Sequence, residues 1–197
     1  ARRLMRNAER GKALCDANWG SRKGRSAQDV SIVKELHYDI THLSLKDYAT
    51  MENDAKSCYD RMIPSLIMLI SRSFSVKASV CKAVGRTFEK TKHHVATKNG
   101  VSMSTLGYTR DEPIFGSWQG ATKSVVSWVL TSSIIQEIHS NEVKGATFES
   151  TDGATTVNQS TVGFVDDNNN CVTRDEESEE LSVLLQRSAQ KWERLLY

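Results

Sequence analysis

The chain has 197 residues, of which 39% are hydrophobic and 25% are charged, and its formal net charge is +2. This length and hydrophobic content allow one sizeable core, or one domain with part of another. The ordinary charge content excludes a chain that is disordered in bulk.

The predicted elements mix helices and strands without strict alternation, which favours an α+β fold. Ser26 is a good N-cap for a helix whose apolar residues recur at helical spacing, and Asn99-Gly100 is a strong hairpin signal. In chain order, the sequence predicts a basic helix over 1–14, a helix over 27–43, a strand over 48–55, helices over 61–74 and 77–90, strands over 92–97 and 101–108, a helix over 122–140, a strand, a polar loop and a strand within 143–165, and a last helix that starts near the acidic run 175–180.

The small net charge hides an uneven distribution along the chain. Residues 1–26 carry eight basic side chains against two acidic ones, and residues 72–98 carry seven against one. Two basic segments are typical of a protein that holds a polyanion such as nucleic acid. Solvated helix faces are the alternative interpretation of each segment.

The four cysteines (Cys15, Cys58, Cys81 and Cys171) show no Cys-x-x-Cys pair and no zinc spacing. We therefore expect reduced thiols in an intracellular protein, in the nucleus or the cytoplasm. The apolar run 63–70 is too short to span a bilayer, so no membrane partner is expected. No signal peptide is evident, and the lack of an initiating Met predicts that an upstream part is missing.

Two clusters of carboxylates point to metal chemistry. Asp166 and Asp167 follow an apolar segment that favours a strand, which is typical of a hairpin tip, and Asp54 lies in a second cluster upstream. Three such carboxylates can hold two divalent ions about 3.5–4 Å apart, which clamp the attacking and leaving oxygens of a phosphoryl displacement. Hard cations such as Mg²⁺ need oxygen ligands. An ordinary exposed turn is the alternative interpretation, because three asparagines (168–170) follow.

Four motifs in a fixed order carry a resemblance to a known family. They resemble the reverse transcriptases of retrotransposons and group II introns, in particular those of non-LTR type elements, and the similarity spans nearly the whole chain. The motifs are Gly20-x-Arg22-x-Gly24-Arg25-Ser26, Asp54-x-x-x-x-Tyr59-Asp60-Arg61, Gly116-x-x-Gln119-Gly120 and Phe164-x-Asp166-Asp167.

The resemblance implies an RNA-directed DNA polymerase that transfers a nucleotide from a dNTP to a primer 3′-hydroxyl on a nucleic-acid template. It implies a palm of antiparallel strands and packed helices over residues 46–197, a partial fingers segment over 1–45, and no thumb. Asp54, Asp166 and Asp167 match the family's catalytic ligands of Mg²⁺ or Mn²⁺.

Further roles are implied residue by residue. Tyr59 matches the aromatic gate that blocks a ribose 2′-hydroxyl, Gln119 matches the glutamine that packs against the incoming nucleotide, and Phe164 takes the aromatic place before the paired aspartates. Arg22 and Arg25 lie in the segment that contacts template or nucleotide, where they would make charge-assisted contacts to phosphates.

Lys92, in the second basic segment, is a further predicted nucleic-acid contact. Local alternatives stay open for other residues in these motifs. Tyr59 has the alternative of a core aromatic, and Gln119 that of a loop-stabilising amide. Asp60 is predicted to be structural, and Trp118 and Trp128 are predicted to be packing residues.

Departures from the family pattern support a second function. Trp118 stands where Gly is usual and Val125 where Pro is usual, and a bulky side chain can block a loop that must approach a nucleotide. The resemblance also implies that the upstream fingers strands and the thumb lie outside this sequence. The alternative is therefore a truncated, catalytically inactive retroelement relic that keeps the palm fold and residual nucleic-acid binding. A viral RNA-dependent RNA polymerase is a third possibility, which the aromatic Tyr59 and the Phe164-Val165 pair oppose.

Overall fold

A computed structural model of the chain describes residues 1–107, 109, 116–117, 122–174 and 179–196. These residues form helices and small antiparallel sheets, which confirms the predicted α+β class. In chain order the elements are α1 (Arg2–Arg10), α2 (Ala27–Leu43), β1 (Tyr48–Asp54), α3 (Cys58–Arg61), α4 (Pro64–Ser73), α5 (Ala78–Lys90), β2 (Lys92–His93), β3 (Ala96–Thr97), β4 (Gly100–Val101), β5 (Leu106–Gly107), α6 (Thr122–Glu142), β6 (Ala146–Glu149), β7 (Thr156–Gln159), β8 (Thr161–Phe164), β9 (Asp167–Thr173) and α7 (Leu181–Leu196).

The largest sheet of the described residues has three antiparallel strands in the order β1-β9-β8. Strand β1 pairs with β9 from Tyr48 opposite Thr173 to Asp54 opposite Asp167. Strands β8 and β9 form a hairpin in which Phe164 is opposite Asp167. Side chains alternate along a strand and directly opposite residues share a face. Asp54, Asp167 and Phe164 therefore lie on one face of this sheet.

Helices α6 and α7 pack against the opposite face. Gln136 of α6 donates from Nε2 to Oδ1 of Asn168 at 3.0 Å, and Asn170 donates from Nδ2 to the carbonyl oxygen of Ser188 in α7 at 3.5 Å. Gly163 allows α6 to approach this closely, because a methyl group there would lie 2.1 Å from Nε2 of Gln136. The two helices thus bury one face of the sheet, and Asp54 and Asp167 lie on the other face.

The N-terminal helix α1 shares a core with the later helices. Ala8 of α1 and Ile70 of α4 belong to one buried cluster with Leu130 of α6. Residues on both sides of the predicted boundary between a fingers segment (1–45) and a palm (46–197) contribute to this core. The boundary itself stays a prediction.

Most predicted elements are confirmed, with shifts at their ends. Helix α2 has the predicted bounds and begins with a capping box between Ser26 and Asp29. The helix predicted over 61–74 begins at Pro64, because the residue before a proline is disfavoured in helical conformation. The segment predicted as two strands within 143–165 contains three, β6, β7 and β8.

The hairpin predicted around Asn99-Gly100 is confirmed as two short antiparallel ladders, β3 with β4 and β2 with β5. The predicted last helix is confirmed as α7. Residues 175–178 of the acidic run before it lie outside the described part of the chain.

All four cysteines are free thiols, as the sequence predicts, and all four are buried. Burial raises the pKa of Cys171 to about 12 and that of Cys15 to about 11, which keeps both thiols protonated. Within the described residues, none of the helices combines the length and the apolar character needed to cross a membrane.

His139 of α6 is fully buried beside the sheet and α7. Its Nδ1 lies 3.1 Å from Oγ of Ser160, and its Nε2 lies 3.2 Å from the carbonyl oxygen of Ser188. The ring of Trp192 packs edge-on against the imidazole. Burial, aided by the charge of Lys191 and opposed by the hydrogen bond to Ser188, lowers the pKa of His139 below 6.5.

The free energy of unfolding is therefore expected to fall as the pH is lowered below 6.5. The folded state keeps the ring neutral while the unfolded state takes up a proton, so acid favours unfolding. Urea denaturation between about pH 7.5 and about pH 5.5 should show a shallower decline for His139→Gln than for the wild type. His37, whose pKa burial also lowers, retains part of the slope. Equal slopes in the two proteins would contradict this assignment.

Candidate active site

The two predicted carboxylate clusters meet at one end of the strands of the three-stranded sheet. Asp54, the last residue of β1, is directly opposite Asp167, the first residue of β9. Val165 and Asp166 form the two-residue connection between β8 and β9, and the backbone N–H of Ala55 donates to the carbonyl oxygen of Asp166 at 3.1 Å. The predicted hairpin tip is confirmed. Through this strand pairing, the backbone of Asp54 lies beside the backbone of Asp166 and Asp167.

Two contacts hold the tip of this hairpin in place. Trp128 of α6 is buried and donates from Nε1 to the carbonyl oxygen of Val165 at 2.6 Å. Val165 has a φ of +57°, a left-handed conformation that is unusual for a β-branched residue. The backbone of Gly20 lies against it, since a methyl group on Gly20 would be 2.3 Å from the nitrogen of Val165. The core thus fixes the position of the residues beside the aspartates.

Asp54 and Asp167 are exposed and Asp166 is half-buried, and their charges influence one another. Burial of part of its surface raises the pKa of Asp167, and the negative charges of Asp166 and Asp54 raise it further. Glu52 acts in the same direction, whereas the ammonium group of Lys34 opposes the shift. Like charges gathered in this way favour the uptake of a proton or a cation.

The donor set fits the predicted ions, because carboxylate oxygens are the ligands that Mg²⁺ and Mn²⁺ prefer. Opposite residues of an antiparallel pair have Cβ atoms about 4.5–5.5 Å apart, so Asp54 and Asp167 can reach one ion by side-chain rotation. In the described part of the chain, no group of three or more His, Cys, Asp and Glu side chains is already arranged to hold a metal. The metal site with Asp54, Asp166 and Asp167 stays a prediction.

A cavity of about 390 Å³ lies between α2 and the carboxylate face of the sheet. Lys34 of α2 lines it together with Glu52, Asp167 and Phe164. Asn169 also lines it, and the buried Oδ1 of this residue has no hydrogen-bond partner among the described residues. The predicted nucleotide contact Phe164 therefore borders a polar space next to the aspartates, and its role stays a prediction.

Tyr59 lies on the short helix α3, which follows β1. Its ring is partly buried and packs against a cluster that includes Met62, Ile67 and Trp128. Burial raises the pKa of Tyr59, and the charge of Asp166 adds to the shift. This packing supports the alternative interpretation as a core aromatic, while the role as a sugar gate stays a prediction.

Gln119, with its neighbour Trp118, lies outside the described residues. The chain just before them is anchored beside α3, because the backbone N–H of Ser117 donates to the carbonyl oxygen of Tyr59 at 2.7 Å. Gly116 has a φ of +108°, which favours glycine at this position. The glycine-bracketed motif therefore begins next to Tyr59, and the nucleotide contact of Gln119 stays a prediction.

Arg22 makes internal contacts with most of its donors. Its Nε and one terminal nitrogen bind the carboxylate of Glu9 at 2.9 and 3.0 Å. Its other terminal nitrogen donates to the carbonyl oxygens of Cys15 and Asn18 at 2.8 and 2.9 Å. The side chain is only 7% exposed. These contacts make Arg22 a structural residue of the N-terminal segment, and they do not favour the predicted contact with nucleic acid.

Arg25 is also bound to its own segment. It donates to the carbonyl oxygen of Asp16 at 2.7 Å, and its guanidinium lies 4.7 Å from the ring centroid of Trp19. Lys92, by contrast, is exposed on β2. The nucleic-acid contacts predicted for Arg25 and Lys92 stay predictions, and the exposed position of Lys92 is the better suited of the two.

The sequence alone did not identify several residues near the site. The exposed-turn interpretation of Asn168–Asn170 is wrong, because all three side chains are buried in β9. Lys34 and Glu52 were also missed, although they form an ion pair beside the aspartates. One signal was present in the sequence: Glu52 precedes Asp54 by two positions and so shares its face of the strand.

Comparison with known proteins gives a structural likeness only. No family model matches the chain, and no curated protein matches it. Solved structures do match, among them telomerase from Candida albicans in complex with the TWJ fragment of telomeric RNA, at a TM-score of 0.55 and 14% sequence identity. The chain shares a fold with part of that telomerase. The match covers 95% of this chain and 31% of the telomerase chain.

Proposed function

We propose that the chain is the core of an RNA-directed DNA polymerase, which transfers a nucleotide from a dNTP to a primer 3′-hydroxyl. The observation that carries the proposal is the register that sets Asp54 opposite Asp167, with Asp166 at the adjoining hairpin tip. This pairing supports a site for Mg²⁺ or Mn²⁺ at one end of the strands, where Asp54 and Asp167 are exposed.

The shared fold supports the same proposal. Telomerase is an RNA-templated polymerase, and nearly all of this chain superimposes on a part of it. The four motifs described above add the proposal that the chain derives from a retrotransposon. Since the chain spans about a third of the telomerase, a complete polymerase would need further segments for template and primer.

Each residue of the proposed site has one task. Asp54, Asp166 and Asp167 would hold the ions, which when bound would neutralise phosphate charge and promote attack by the primer hydroxyl. Tyr59, anchored beside the motif that contains Gln119, would contact the sugar of the nucleotide. The partners would be dNTPs and a template–primer hybrid, contacted at its phosphates by exposed basic residues such as Lys92.

Primer extension with the purified chain tests the proposal. The assay contains an RNA template, a labelled DNA primer, dNTPs and either Mg²⁺ or Mn²⁺. We expect incorporation that needs both the template and the divalent ion. Absence of incorporation with either ion, under conditions in which the chain is folded and binds the hybrid, would contradict activity in this chain.

Tyr59→Ala is expected to admit ribonucleotides, because removal of the ring opens space for a 2′-hydroxyl. The preference for dNTP over rNTP should fall by roughly 10- to 100-fold, within the usual range for one steric contact. The measurement is single-nucleotide incorporation with matched dNTP and rNTP. Tyr59→Phe is the control and should keep the preference. An unchanged preference in an active Tyr59→Ala variant would assign the ring to the core alone.

One observation favours a second candidate, a non-catalytic retroelement relic with residual nucleic-acid binding. The backbones of Asp54, Asp166 and Asp167 lie side by side, but in the described part of the chain their carboxylates are not arranged as a metal-binding group. A relic would bind a nucleic-acid hybrid, show no incorporation, and have a thermal midpoint that does not respond to Mn²⁺. A polymerase core would show all three properties together: binding, incorporation and a shift of the midpoint.

A further inference from the structure

Lys34 faces the same surface of the sheet as the aspartates. In the register of β1 and β9, Glu52 is opposite Asn169 and Asp54 is opposite Asp167. These four side chains share one face, because each pair is two residues from the next. Helix α2 lies over this face, and Lys34 reaches down from it to form an ion pair through Nζ with the carboxylate of Glu52.

The cavity between α2 and the sheet has an excess of negative charge. Among the described residues that line it, three are acidic (Glu52, Asp54 and Asp167) and only Lys34 is basic. The unpaired Oδ1 of Asn169 adds a further acceptor. The side chain of Lys34 is 29% exposed, whereas that of Glu52 is 71% exposed, so the ammonium is the more enclosed partner.

We propose that Lys34 is a positioning residue that acts as the built-in counter-cation of this carboxylate face. Its ammonium offsets the repulsion among Glu52, Asp54 and Asp167 when no ion is bound. It also holds Glu52 in an ion pair and opposes the arrival of a divalent cation. This second part rests on the proposed function, whereas the first part holds for the protein without metal.

If Lys34 and Glu52 form only an ordinary surface ion pair, no coupling between Lys34 and Asp167 is expected. Such a pair contributes little and acts only between its two members. A counter-cation interacts with every carboxylate on the face, so Lys34 should couple to Asp167, which is not its ion-pair partner. Coupling between Lys34 and Asp167 therefore separates the two interpretations.

The first experiment is a double-mutant cycle on the whole chain in the presence of EDTA. Asp167→Asn should raise the urea midpoint by roughly 0.3 M more in a Lys34→Met background than in the wild type, because repulsion is then uncompensated. Lys34→Arg keeps the charge and should behave as the wild type. The matched control is Lys191→Met, which breaks the pair between Lys191 and Glu142 on other elements. Equal effects of Asp167→Asn in all backgrounds would overturn the counter-cation role.

The second experiment is Mn²⁺ binding measured by electron paramagnetic resonance. Lys34→Met should bind Mn²⁺ roughly two- to fivefold more tightly, since a nearby positive charge is lost and Glu52 is released. Glu52→Gln should bind more weakly, and Lys191→Met should not change. If the role of Lys34 is purely structural, Lys34→Met should bind Mn²⁺ more weakly than the wild type. This result would overturn the proposal that the ammonium of Lys34 opposes cation binding. If the wild type binds no Mn²⁺ while the cycle in EDTA shows coupling, the metal part of the proposed function fails and the counter-cation stands.

Discussion

Asp54→Asn is expected to lower the rate of nucleotide incorporation by about 10²- to 10⁴-fold. Charge stabilisation by a bound metal contributes several kcal/mol to such a reaction, and each 1.36 kcal/mol of barrier is about tenfold in rate. The same loss is expected for Asp167→Asn. The measurement is single-turnover incorporation with Mn²⁺, together with the shift of the thermal midpoint that Mn²⁺ causes.

The control for this experiment is Asp39→Asn on α2, which makes the same change of charge at an exposed position away from the cluster. It should keep both the rate and the response to Mn²⁺. The Asn variants at the site should remain folded, because removing like charges from Asp167 and its neighbours relieves repulsion. If Asp54→Asn retains the wild-type rate, the aspartates are not the ligands and the proposed mechanism is wrong.

Local signals explain why much of the fold could be predicted. Ser26 and Asp29 lie three residues apart, so the capping box that starts α2 can be recognised from a short stretch of sequence. The turn at Asp166 is likewise a local feature, because an apolar pair leads directly into it. The α+β class and most elements follow from such signals. They need no knowledge of which segments meet.

Contacts between distant segments explain what could not be predicted. Arg22 binds Glu9 because the N-terminal segment folds back and brings the two residues together. The sequence gives no sign that Arg22 is buried, because it lies in a run of basic residues. The burial of Asn168 and Asn170 depends on Gln136 and Ser188, which come from two other helices. These two asparagines are core residues because their side chains form hydrogen bonds with partners from distant segments.

Gly20 illustrates how such a distant contact positions the candidate site. A Cβ atom on Gly20 would lie 2.3 Å from the backbone nitrogen of Val165 and 3.0 Å from its Cα. Backbone atoms cannot rotate away, and Val165 is held by the hydrogen bond from Trp128. Next to Gly20, the N–H of Trp19 donates to the carbonyl oxygen of Gly163 at 2.8 Å. An added methyl group must therefore separate the N-terminal segment from the hairpin that carries Asp166.

Gly20→Ala is expected to lower the free energy of unfolding by about 2–4 kcal/mol, through overpacking and loss of the backbone hydrogen bond beside it. It should also displace the hairpin tip, so Mn²⁺-dependent incorporation should fall even where the variant is folded. Gly107→Ala is the matched control, because its added methyl group would meet its nearest neighbour at 3.9 Å and should cost less than about 0.5 kcal/mol. Urea denaturation measures both variants. Equal stability of the two would mean that Gly20 does not set the distance between the N-terminal segment and the aspartates.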